Sequence, residues 1–209
     1  MKMCVRMRWA GAGLLVFGAS VAIAESGGPI PSVTGAPGEI FCTECHSDFV
    51  PNTGGAVTIV NAPPYYKGGS TYTMTVRVAS GQTVASVDRA WGFQLTAIDA
   101  GGSGAGTFAN VDGQATKILA GGGSLSSRRY IEHDGAGTRN GMASPASWDF
   151  RWTAPPTGSG PITFHFVGLA ANGTGSEVGD WGYHGSAVMG DSSTAAVPTS
   201  WGAVKGAYR

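Results

Sequence analysis

Thr71-Tyr72-Thr73-Met74-Thr75-Val76-Arg77-Val78-Ala79-Ser80 is the stretch that decides the fold. Tyr72, Met74, Val76 and Val78 fall on one side of an alternation; Thr71, Thr73, Thr75 and Arg77 fall on the other. Successive side chains of an extended chain point to opposite faces, so a period of two predicts a half-buried β-strand. The same period recurs on both sides of it. Val57 and Ile59 flank Thr58, and Trp91, Phe93 and Leu95 alternate with polar or small residues as far as Asp99. Trp148, Phe150 and Trp152 alternate with Asp149, Arg151 and Thr153; Ile162, Phe164 and Phe166 alternate with Thr163 and His165.

Shorter strands are expected at residues 106–111, 115–119, 128–134 and 181–189. Asp112-Gly113 reads as a hairpin turn joining the first two. Pro63-Pro64-Tyr65-Tyr66-Lys67-Gly68-Gly69 reads as a turn ahead of the central stretch. No window outside the N-terminus carries a helical stripe. The expectation is an all-β, immunoglobulin-like antiparallel β-sandwich over residues 56–190, with the aromatic rows packed between two sheets.

The composition agrees. The 35 glycines and 12% charged residues in a chain of 209 suit a turn-rich domain better than a helical one. Thirteen basic and thirteen acidic residues give a formal net charge of zero. No basic patch argues for nucleic acid, and no run of like charge marks an interaction tail.

Residues 1–24 have the form of a secretory signal. Lys2, Arg6 and Arg8 precede an apolar run, and Ala22-Ile23-Ala24 offers an A-x-A cleavage site. The run is short and rich in small residues, so no membrane span is expected in the mature chain. Cleavage removes three basic residues and leaves ten against thirteen acidic, a net −3. It also removes Cys4, so that Cys42 and Cys45 are the mature chain's cysteines. An exported protein, periplasmic or extracellular, follows. Residues 25–40 (ESGGPIPSVTGAPGEI) have no apolar period and read as an extended or flexible lead-in. Residues 191–209 read as a tail without an anchoring signal.

The chemistry sits at residues 41–55, where Cys42-Thr43-Glu44-Cys45-His46 spells C-x-x-C-H, the attachment signature of a c-type haem. Each thiol adds across one porphyrin vinyl group, and the histidine that follows becomes the proximal iron ligand. Two other readings stay open on the motif alone: a disulfide between Cys42 and Cys45, or half of a zinc site whose other ligands come from elsewhere. The alternative function is a non-enzymatic extracellular binding or adhesion sandwich with that local disulfide.

The ordered set of motifs resembles the exported bacterial β-sandwich domains known as choice-of-anchor V, or Reeler-like, domains. It runs from Cys42-Thr43-Glu44-Cys45-His46 through Val57-Thr58-Ile59, Pro64-Tyr65-Tyr66 and Trp91-Gly92-Phe93-Gln94-Leu95-Thr96-Ala97. Tyr130-Ile131-Glu132-His133, Trp152-Thr153-Ala154-Pro155-Pro156 and Ala171-Asn172-Gly173-Thr174-Gly175 with Gly179-Asp180 continue it. The resemblance implies an exported sandwich carrying one covalent haem c with its iron, and it supplies no reaction. The anchoring or secretion signal that often ends such chains is not visible here.

A haem held by His46 takes a second axial ligand or leaves that position open. His133 stands first, because Glu132-His133-Asp134 ends a strand beside glycines and nearby carboxylates could orient its ring; the family pattern also carries a histidine there. His184, beside Trp181 and Tyr183, is the runner-up. His165 is expected to be solvated, Met142 sits in a loop that could present sulfur, and Met189 is expected in the core. Asn172 to Asp180 reads as a tight turn rather than a calcium loop. The expected role is that of an electron carrier, not an enzyme, with redox donor and acceptor proteins as partners and self-assembly as an extension of it.

Overall fold

A computed structural model describes residues 27–83 and 88–193. The signal segment at 1–24 and the tail beyond residue 193 lie outside the described residues. Ten strands run in chain order: β1 (Gly55–Val60), β2 (Tyr65–Tyr66), β3 (Thr71–Ser80), β4 (Ala90–Ile98), β5 (Thr107–Asn110), β6 (Thr116–Ala120), β7 (Arg129–His133), β8 (Ala146–Thr153), β9 (Ile162–Ala171) and β10 (Trp181–Asp191). They form a four-stranded sheet, β1-β3-β8-β5, and a six-stranded sheet, β2-β10-β9-β4-β7-β6. The architecture is the expected all-β sandwich.

The alternation in β3 does what its side chains require. Met74, Val76 and Val78 are fully buried, and they face Phe150, Trp148 and Ala146 across the β3–β8 ladder. Phe164 and Ile162 from β9, with Trp91, Phe93 and Leu95 from β4, supply the other side of the core. Trp152 meets Phe164 edge-on with ring centroids 4.9 Å apart, a favoured aromatic geometry. The indole N–H groups of Trp148 and Trp152 donate to the carbonyls of Gly137 and Ala105, so neither is stranded in the core.

Four expectations are corrected. Tyr65-Tyr66 is a short strand and not only a turn, and it pairs parallel with the end of β10, so the larger sheet is mixed at that edge. The Asp112-Gly113 turn does not join a hairpin. The β5 strand pairs with β8 and β6 with β7, so the chain crosses here from one sheet to the other. Turn chemistry fixes a local reversal but not which neighbour each arm takes. β4 is buried on both faces, where alternation implied one. The fourth correction explains the third: the lead-in is not loose, and it covers the outer face of the six-stranded sheet.

Val33, Thr34 and Ala36 are buried. A narrow loop closes as Gly35 N–H donates to Ile40 C=O at 3.0 Å and Cys42 N–H to Val33 C=O at 3.1 Å. Gln94 of β4 ties this loop to the sheet: its carbonyl oxygen accepts from Val33 N–H at 3.0 Å, and its amide donates to Ile30 C=O at 2.9 Å. Glu39 is the second tether. It takes a charge-assisted bond from Arg128 Nη1 at 2.5 Å and one from the Tyr130 hydroxyl at 2.7 Å, and both charged side chains are almost wholly buried. Within the described part of this segment, residues 27–40, the polar side chains of Thr34 and Glu39 are therefore contacts of a docked segment.

Candidate functional site

The C-x-x-C-H motif folds as one turn of 3₁₀ helix over Cys42–Glu44. Glu44 reaches back to Phe41 N–H at 3.3 Å, and His46 N–H closes onto Cys42 C=O at 3.2 Å. Three contacts press this turn against β10. Thr43 is buried where Gly182 has no side chain; a Cβ there would collide with the Thr43 methyl. Phe41 packs on His184 at 4.4 Å, and Phe49 stacks on Trp181 at 4.1 Å with the planes 13° apart. A glycine inside a strand here marks a close approach by another segment.

Between the docked segment and the outer face of β4 and β9 lies a cavity of about 440 Å³, within the roughly 300–1,000 Å³ typical of small-molecule and cofactor sites. Cys42, Cys45, His46 and His133 all line it, together with apolar walls from Val33, Ile40, Phe41, Val167 and Leu169. The two cysteines are free thiols, Cys42 half-buried and Cys45 exposed. Burial, then the neighbouring Cys45 and Asp180, pushes the Cys42 thiol up to about 12.

His46 is oriented by a residue 134 positions later in the chain. Its Nδ1 lies 2.8 Å from Oδ2 of Asp180, a carboxylate with 1% of its side chain exposed. That contact uses one ring nitrogen and leaves Nε2. His133, at the end of β7, lines the same cavity. Its ring crosses Gly92, where a Cβ would strike it. Nδ1 faces both the amide nitrogen and the carbonyl of Phe93, at 3.1 and 3.3 Å. The Phe93 N–H donates to Nδ1 when the lone pair is there and the proton is on Nε2; in the other tautomer Nδ1–H donates to the Phe93 carbonyl and the lone pair is on Nε2. Burial pulls the His133 pKa down to about 4, partly opposed by the Phe93 carbonyl, so the ring is neutral at pH 7, the form that ligates a metal.

These residues fit a c-type haem. The porphyrin brings its own in-plane nitrogens, so the protein supplies two thiols and one or two axial side chains. Among the described residues no group of three or more His, Cys, Asp or Glu could hold a bare metal ion.

The other sequence candidates lie elsewhere. His184 packs on Phe41 and is not among the cavity residues. Its neighbour Tyr183 is a core residue bonded to Ser80 rather than a porphyrin contact. His165 is half-buried instead of solvated, and burial lowers its pKa. Met142 presents its backbone carbonyl to the Trp91 indole while its side chain is 45% exposed. Met189 is buried in the core, as expected. Asp180, read from sequence as part of a turn, is the site residue that sequence reasoning missed. Asn172 to Asp180 is indeed a turn, closed by Asn172 N–H donating to Asp180 Oδ1 at 2.9 Å.

No family model matches this chain, and no curated protein matches it. Among solved structures, the human F-spondin reeler domain is similar with a TM-score of 0.44 and 16% identity, covering 68% of this chain and 91% of that one. A cohesin module from a family 33 glycoside hydrolase of Clostridium perfringens gives 0.43 and 11%, covering 67% and 98%. AggA, the major subunit of aggregative adherence fimbriae type I from Escherichia coli, gives 0.32 and 13%, covering 68% and 98%. No helix among the described residues is long and apolar enough to cross a membrane.

Proposed function

We propose that this chain is an exported monohaem c-type cytochrome domain, periplasmic or extracellular, that carries electrons between a donor and an acceptor protein. The observation that supports it is the convergence of Cys42, Cys45, His46 and His133 on one apolar-walled cavity. Cys42, Cys45 and His46 lie 87 or more positions before His133 in the chain, so it is the fold that brings them to one cavity.

The roles follow from the side chains. Cys42 and Cys45 would carry the two thioethers. His46, held through Nδ1 by Asp180, would offer Nε2 as the proximal ligand. His133, neutral, would offer Nε2 as a second ligand in the tautomer whose Nδ1–H donates to the Phe93 carbonyl. Val33, Ile40, Val167 and Leu169 would exclude water from the porphyrin plane. When bound, the haem supplies a one-electron couple whose potential depends on its axial ligands, burial and hydrogen bonding.

A pyridine haemochrome spectrum tests the reading. The protein is co-expressed with a c-type maturation system and extracted with acidic acetone before measurement. Haem that stays with the polypeptide and shows a c-type α band is the expected result. A colourless protein from that host overturns it and returns the chain to the binding or adhesion reading with a Cys42–Cys45 disulfide.

A further inference from the structure

We propose that Asp180 is the positioning residue of the centre: it fixes the His46 imidazole in the Nδ1–H tautomer and, through it, lowers the reduction potential. This rests on the haem reading above. The carboxylate is built in from two directions. Oδ1 accepts the backbone N–H of Asn172 at 2.9 Å, which locks it to the far end of its own loop. Oδ2 is left for His46 Nδ1 at 2.8 Å. The stretch after the motif is held to the same loop a second time, since Gly179 N–H donates to Asp48 Oδ2 at 2.6 Å. The His46–Asp180 geometry is therefore held at both partners and does not hang on one flexible side chain.

The chemistry follows from the acceptor. A carboxylate can only accept, so with a neutral ring the shared proton belongs to Nδ1, and the lone pair belongs to Nε2. The acceptor is also a carboxylate in a site screened from water, since Asp180 is 1% exposed. Negative charge at that distance increases electron density on the imidazole and favours the oxidised iron over the reduced one. A neutral amide or carbonyl in its place would do so less. Charge and tautomer are separable consequences of the one contact.

The test uses two readouts. In the haem-free protein, long-range ¹H–¹⁵N spectra above the ordinary imidazole titration range report which His46 nitrogen carries hydrogen. The wild type is expected to show Nδ1–H, and Asp180→Asn a loss of that preference. In the loaded protein, Asp180→Asn is expected to raise the midpoint potential, and Asp180→Glu to restore part of the wild-type value. An Nε2–H tautomer in the wild type overturns the proposal without any variant, so a variant that fails to fold does not shield it. A loaded Asp180→Asn protein with unchanged potential also overturns it. Failure to take up haem is a different result: it overturns the function reading itself, and the ligand role of His46 with it.

Discussion

His133 is where a single side chain has the most to reveal. On the haem reading, His133→Ala would remove an iron ligand and leave a position that carbon monoxide can enter. Reduced wild type is expected to remain six-coordinate, whereas the variant binds carbon monoxide without a lag, read from its absorption spectrum. Wild type that binds equally fast would remove His133 from the iron. Gly92→Ala approaches the same ring from the backbone side. Its new methyl has no room beside the imidazole, and overpacking of this kind costs about 1–3 kcal/mol, which a denaturant titration measures. The haem-free protein also carries a pH signature. Folding lowers the His133 pKa from 6.5 to about 4, so the unfolded chain binds the proton more tightly. The stability that the neutral ring permits is complete above pH ~6.5 and falls as the pH drops towards ~4, by at most about 3 kcal/mol. Chemical denaturation at a series of pH values checks it, and His133→Asn should flatten that part of the curve.

At the scale of elements, the docked segment over residues 28–46 separates what could be read in the sequence from what could not. The strands with clean alternation were legible: β3 keeps the boundaries its period of two implies, and the Trp148–Phe150–Trp152 row is buried in the core. The motif was legible too, because its spacing is local. The double burial of β4 was not, since nothing in Trp91 to Ile98 says that a Gly-, Pro- and Ser-rich segment will lie over Gln94. The pairing of His46 with Asp180 was hidden for the same reason, as side chains 134 positions apart leave no local pattern. The tether itself is testable. Arg128→Ala leaves Glu39 buried without its cation, and breaking a buried pair costs about 3–5 kcal/mol. Hydrogen exchange should show the amides of residues 33–42 losing protection before those of β3. Uniform loss across the molecule would mean that the segment and the sandwich unfold as one unit.

For the whole molecule, the sandwich core is complete without the motif: the residues that fill it lie between Val57 and Met189. Loading should therefore stiffen the covering segment more than the sandwich. Amides of residues 33–46 are expected to exchange more slowly in the loaded protein than in a Cys42→Ala, Cys45→Ala double variant, with those of β3 and β8 unchanged. Equal protection in both would mean that the segment gains nothing from what it covers. The state of Cys42 adds a matter of timing. Once the chain has folded, burial pushes the pKa of this thiol up to about 12, so it supplies less thiolate than an unfolded chain, which presents it with ordinary thiol reactivity. The motif precedes His133 and Asp180 along the polypeptide, so it is available before the floor and the clamp of the cavity exist. On the haem reading, attachment and folding are then competitors for the same few residues. A chain that closes first withdraws its own nucleophile, and the yield of loaded protein is decided by which event runs faster outside the cytoplasm.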